Sequence, residues 1–126
     1  MIEYFALPPI LGLVGLGVAF IIYHIMTRHN HGDGAVKDIG DQIHLGAMVF
    51  MKREYSMLSM FALVILVALF VSPLGMNTAI AFLAGALSSA TAGYLGMFAA
   101  TKANVRTAVA AHSHGQGLAL SIAFYG

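Results

Sequence analysis

The chain has 126 residues, of which 60% are hydrophobic and 9% charged, with six Lys and Arg, five Asp and Glu, and no Cys. A soluble globular domain carries about 25% charged residues, so this composition excludes one, and the lack of Cys removes disulfides and thiolate metal sites. A net charge of +1 without an Arg-aromatic platform gives no footing for nucleic acid.

The first apolar run extends from Phe5 to Met26 and contains no Lys, Arg, Asp or Glu. A bilayer core of about 30 Å takes roughly 20 helical residues, so this run is long enough to span. Met1, Ile2 and Glu3 supply no positive n-region and no small-residue cleavage site follows Met26, so it reads as a retained span rather than a secretion signal. Pro8 and Pro9 are expected in its first turn, where a missing N–H is tolerated. Next comes the string His29 to Gly34, HNHGDG, which reads as a turn because Gly32 and Gly34 flank Asp33.

From Ala35 the helical period returns, with Ile39, Ile43, Ala47 and Phe50 at three- and four-residue steps. An amphipathic prologue is expected to run straight into the second span, giving one helix from about Val36 to Val71 whose membrane part covers about 47–71. Ser72, Pro73, Leu74 and Gly75 then form a reversal. The third span, about 77–100, carries small residues every four positions on two stripes: Ala81, Gly85, Ser89 and Gly93, and beside them Ala84, Ser88, Ala92, Gly96 and Ala100. Slim faces let helix backbones touch in lipid, so both stripes are expected to pack on protein. Lys102 and Arg106 end this span and suit its C-terminal dipole. A fourth apolar run begins at about 117 and reaches Gly126 at half the length needed to cross.

These elements predict an all-α, polytopic transmembrane bundle with three complete spans and the start of a fourth, since in hydrocarbon the backbone must satisfy itself within each helix. All six basic residues, Arg28, Lys37, Lys52, Arg53, Lys102 and Arg106, fall in the 27–55 and 101–117 stretches. The positive-inside rule therefore sets these on the cytoplasmic side, with Met1 and Pro73 near the outer face.

The spans hold no ionisable group of the kind an ion relay uses, and no Asp or Glu follows Glu54. The chain therefore offers no catalytic, cofactor-binding or metal-binding residue of its own. The six His are the remaining chemistry: His24, His29, His31 and His44 read as lying near the end of span one and the following loop, and His112 and His114 in the second cytoplasmic segment. The pairs His29/His31 and His112/His114, with Asp33, are the ligand set that a small metal-handling membrane transporter would use. Solvated loop residues are the simpler reading.

Two strings go beyond a generic membrane helix. Ile39 to Tyr55, IGDQIHLGAMVFMKREY, resembles the helix entry of membrane-integral inorganic pyrophosphatases, with Gly46-Ala47 and Arg53-Glu54-Tyr55 in register. Gly85 to Ala111 is similar to that family's third helix through its small-residue run, Gly93 to Met97, and Ala103 to Thr107, and LALSIAFYG from Leu118 resembles the start of the fourth. His44-Leu45 departs from the Gln-Glu usual there. The resemblance implies an ion-translocating pyrophosphatase of about sixteen helices, a homodimer in the plasma (inner) membrane with its N-terminus outside, that hydrolyses Mg2+-bound pyrophosphate and exports H+ or Na+, with K+ as a further cofactor in some members. Residues 1–126 would be the N-terminal part of its single membrane domain, an outer-helix fragment inactive alone, with substrate and Mg2+ ligands in later helices. A purely structural membrane subunit is the third reading.

Overall fold

The computed structural model describes residues 2–126, with side chains from residue 7 onward; Met1, expected near the outer face, lies outside the described residues. Four helices follow in chain order: α1, Ile2–Thr27; α2, Ala35–Val71; α3, Gly75–His114; and α4, Gln116–Tyr125. No strand occurs among the described residues. Three of the helices are long and apolar enough to cross a membrane, as the uninterrupted apolar runs require.

The α2 prologue is continuous with its span, and α4 begins within a residue of its expected start. Two expectations are corrected. Pro8 and Pro9 lie inside α1 rather than in its first turn, because the helix already begins at Ile2; each lacks the N–H that would pair with a carbonyl four residues earlier. And α3 does not end at the Lys102 and Arg106 expected to close it but continues to His114, because the Ala-rich sequence around them remains good helix former outside the apolar run. At 1.5 Å per residue α3 is about 60 Å long, twice a bilayer core.

The chain gathers into two compact units. The first comprises Met1–Gly40 and Ala99–Gly126. Its core is Met26, Ala103, Ala110, Ala119 and Ile122, with Tyr23 and Leu118 packed against it; Met26 and Ile122 are 0% and 1% exposed. Two buried glycines, Gly32 and Gly40, make this packing fit. A Cβ on Gly40 would collide with the Val105 methyls, and one on Gly32 would sit 2.9 Å from Val109 Cγ2. Val105 and Val109 are one turn apart on α3 and thus share a face. Gly126 meets Ala103 in the same manner, so α4 approaches α3 at backbone distance.

The second unit, Asp41–Phe98, is the hairpin of α2 and α3. Its reversal matches the expected Ser-Pro-Leu-Gly turn: Gly75 N–H donates to Ser72 O at 3.3 Å, and Ser72 Oγ donates to Leu69 O at 2.8 Å while accepting from Leu74 N–H. Gly75 has φ +77°, a conformation that L side chains rarely adopt. On α3 the residues turned toward α2 are Ala79, Phe82, Ala86, Ala90 and Met97, all buried or half-buried. Both small-residue stripes named from the sequence are exposed along their whole length. The seam thus falls mainly on a neighbouring face and meets the first stripe at Gly93, where a Cβ would stand 2.8 Å from Tyr55 Oη.

Candidate functional site

The family-like strings contribute to two ties that hold helices together. The first is built on Arg106. Helix α1 ends at Thr27, and a helix leaves its last four carbonyls without intrahelical partners. Here all four are met. Thr27 Oγ1 donates to His24 O at 3.0 Å, Arg28 N–H and His29 Nδ1–H reach Ile25 O at 3.2 and 3.1 Å, and His29 N–H reaches Met26 O at 3.1 Å. The fourth, Thr27 O, lies 3.5 Å from Arg106 Nη2, and Arg106 Nε donates to His29 O at 3.1 Å. The third arm, Nη1, donates to Lys102 O at 2.8 Å on its own helix.

The guanidinium can do this because its donors are fixed in a planar fork, unlike the point charge of Lys. Being cationic, it also opposes the negative end of the α1 dipole. Read from sequence, Arg106 answered only the dipole of its own helix; its partners are instead 77 and 79 residues away. No local signal marks that pairing.

The polar segment after α1 is shaped by the same economy. Gly32 N–H donates to Asn30 Oδ1 at 3.0 Å, and Gly32 and Gly34 have φ +78° and +56°, as the Gly-flanked turn required. His29 and His31 lie there, but His29 Nδ1 is committed to Ile25 O. His112 and His114 are in the last turn of α3, not in a loop. Two positions apart on a helix they point to different sides, which breaks the proposed ligand pair. Ser113 Oγ, donating to Val109 O, sits 2.7 Å from His114 Nδ1. His44, expected near the loop, belongs to α2 and meets the Phe98 ring edge-on at 5.1 Å. Among the described residues no group of three or more His, Cys, Asp or Glu is placed to hold a metal ion.

The second tie joins α2 to α3 in the hairpin. Tyr55, from the Arg-Glu-Tyr string, donates its hydroxyl to Ala90 O at 2.6 Å. A Cβ on Gly93 would stand 2.8 Å from that hydroxyl oxygen, so a glycine there leaves room for the bond. One turn on, Tyr94 stacks on Phe98 with centroids 6.4 Å apart. The two strings that carry the resemblance thus meet in space at Tyr55, Ala90 and Gly93. Both strings stand out in the sequence, but nothing in it marks that they touch.

Comparison with known proteins gives this arrangement its context. The profile of the family described as inorganic H+ pyrophosphatase matches residues 13–126. The chain belongs to that family. It is 44% identical over 115 residues to a Clostridium tetani protein assigned, provisionally, as a K(+)-stimulated pyrophosphate-energized sodium pump, covering 91% of this chain and 17% of that protein. It is 42% identical over 119 residues to a K(+)-insensitive pyrophosphate-energized proton pump of Methanosarcina mazei, covering 94% and 18%. Against a K(+)-stimulated pyrophosphate-energized sodium pump of Thermotoga maritima the identity is 38% over 115 residues, covering 90% and 16%. The chain therefore spans less than a fifth of the length of these relatives. No solved structure matches it. Family membership and three apolar helices make it a multi-pass membrane protein, and the family fits neither the metal-transporter reading nor the purely structural one.

Proposed function

We propose that the chain is the N-terminal, outer-helix part of a pyrophosphate-energised ion pump, in which hydrolysis of Mg2+-bound pyrophosphate drives H+ or Na+ out of the cell. The observation that carries this reading is the match across residues 13–126 to a family whose relatives are named as such pumps. Within the pump these helices are scaffold. Their apolar runs hold no carboxylate for an ion path, so the catalytic residues, the Mg2+ ligands and any K+ dependence lie in later helices. The homodimer, the plasma-membrane location and the outside N-terminus belong to the same proposal. In the whole enzyme the metal ions neutralise charge developing on the phosphates as water attacks; the part of this segment is to fix the helices that surround that site.

Inverted membrane vesicles from the source cells test the activity. Added pyrophosphate with Mg2+ should load the vesicles with H+ or Na+, and disruption of this gene should abolish the uptake; uptake that survives disruption refutes the reading. Orientation has a separate test. Single Cys substitutions at Ser72 and Ser113, exposed to an impermeant thiol reagent on intact cells, should label at 72 alone. Labelling at 113 alone would reverse the topology.

A further inference from the structure

In the hairpin unit a groove of about 610 Å³ opens between α2 and α3, running from Tyr55 and Gly93 at one end to Leu66 and Phe82 at the other. We propose that it binds one acyl chain of an anionic phospholipid of the cytoplasmic leaflet, with the headgroup phosphate held by Lys52 and Arg53 at its mouth.

Dimensions support the occupant first. From Tyr55 to Leu66 the α2 wall rises about 17 Å at 1.5 Å per residue, close to the roughly 15 Å depth of one leaflet's hydrocarbon. The chemistry of the walls is apolar, with Leu58, Leu63, Phe82, Leu83 and Leu87 among the lining residues. Its polar members are internally satisfied where they matter: Tyr55 Oη donates to Ala90 O, and Ser59 Oγ donates to Tyr55 O at 2.6 Å. An apolar guest therefore leaves both of these hydroxyls paired.

Charge then selects the headgroup. Lys52 lies three residues before Tyr55 and seven before Ser59, so it continues the groove-lining face of α2 one turn toward the basic end. Lys52 and Arg53 are exposed, and neither is ion-paired among the described residues. Near-surface Lys and Arg draw anionic lipid, and with the orientation proposed above this end lies in the cytoplasmic leaflet, where anionic lipid is concentrated. A further helix of the protein is the competing occupant, since helices associate in lipid through small residues and Ala62, Ala86, Ser89, Ala90 and Gly93 are among the lining residues. The exposed cations at the basic end favour the lipid, and the crosslink below separates the two.

The experiment places the photo-crosslinker p-benzoylphenylalanine at position 83 of the native protein, purified and reconstituted into vesicles of nine parts dioleoylphosphatidylcholine to one part dioleoylphosphatidylglycerol. After irradiation, mass spectrometry of the peptide should show lipid adducts in which phosphatidylglycerol far exceeds its share of the bilayer. Lys52→Gln and Arg53→Gln, introduced together after insertion has been verified by labelling at position 72, should lower the preference for phosphatidylglycerol over phosphatidylcholine roughly thirtyfold, the loss expected when two near-surface cations are neutralised. A peptide-peptide adduct would show that a helix fills the groove. Lipid adducts in bulk proportion, unchanged by the double substitution, would reduce it to ordinary lipid contact. Either result overturns the proposal.

Discussion

The two units of this chain solve the same problem, holding apolar helices in a fixed relation, by different means. The unit of Met1–Gly40 and Ala99–Gly126 closes a core of its own: five buried hydrophobics, glycines fitted against valine methyls and alanine, and a charged fork across the end of α1. The hairpin of Asp41–Phe98 buries only Met51 and Ala79 fully and relies on a turn, a half-buried seam and one tyrosine hydroxyl. In the topology proposed above, part of the difference follows from the solvent. Where helix ends meet water, burying apolar surface stabilises by about 25 cal/mol per Å² and carbonyls demand partners. In hydrocarbon neither pressure acts between apolar faces, so contact rests on packing and single hydrogen bonds. Stability should accordingly be concentrated in the first unit and spread thinly in the second.

The strongest challenge to that contrast is to remove the fork. Arg106→Ala would leave the His29 and Thr27 carbonyls without their donor, and hydrogen bonds to charged groups contribute about 1.5–3 kcal/mol. Arg106→Lys should recover little of it, because an ammonium cannot reproduce the planar arrangement. Limited trypsin digestion, which can cut after Arg28, should be markedly faster in both variants. Unchanged cleavage would mean that α1 is held by its apolar contacts alone.

A slightly smaller effect is expected at Gly40, where crowding rather than hydrogen bonding is at stake. Gly40→Ala forces a methyl into the Val105 side chain, and overpacking of this kind costs about 1–3 kcal/mol. Val105→Ala in the same molecule removes the colliding methyls and should restore much of the loss. A double-mutant cycle read by thermal unfolding in detergent would measure the coupling. Simple additivity of the two substitutions would show that the contact is not tight.

These cases also show what sequence patterns can and cannot disclose. The spans, the unbroken α2 and the Ser72 to Gly75 reversal were legible because each depends on neighbours in the chain: apolar length, period and turn residues. The partners of Arg106 were not, since its pairing with His29 and Thr27 arises only when distant segments pack. The small stripes of α3 raise a related point. Periodicity identifies a slim face without saying which neighbour it meets, and the hairpin turn rotates Phe82, Ala86 and Ala90 toward α2 instead. His112 and His114 are not in the loop expected for them because helix propagates through Ala-rich sequence as far as His114, whereas His29 and His31 lie between helices as read.

The smallest expected effects lie in the hairpin, and they separate two glycines that look equivalent in sequence. Gly85 and Gly93 are eight residues apart on the same stripe, yet a Cβ at Gly85 meets nothing within 4 Å whereas one at Gly93 stands 2.8 Å from Tyr55 Oη. Gly93→Ala should displace the tyrosine hydroxyl and weaken a bond of about 0.5–1.5 kcal/mol, which offsets the gain of about 1 kcal/mol that alanine brings to a helix interior and sets it below Gly85→Ala. Tyr55→Phe should cost a similar amount by deleting the same bond. Combined with Tyr55→Phe, the alanine at 93 should then be nearly harmless, because the oxygen it opposed has gone. Gly85→Ala, by contrast, should be neutral or slightly stabilising in this chain, since alanine is the better helix former by about 1 kcal/mol. Thermal unfolding of the four variants in one detergent decides it. Equal losses at 85 and 93 would show that a neighbour outside the hairpin packs on the whole stripe, and the hairpin would then owe its stability to that neighbour rather than to Tyr55.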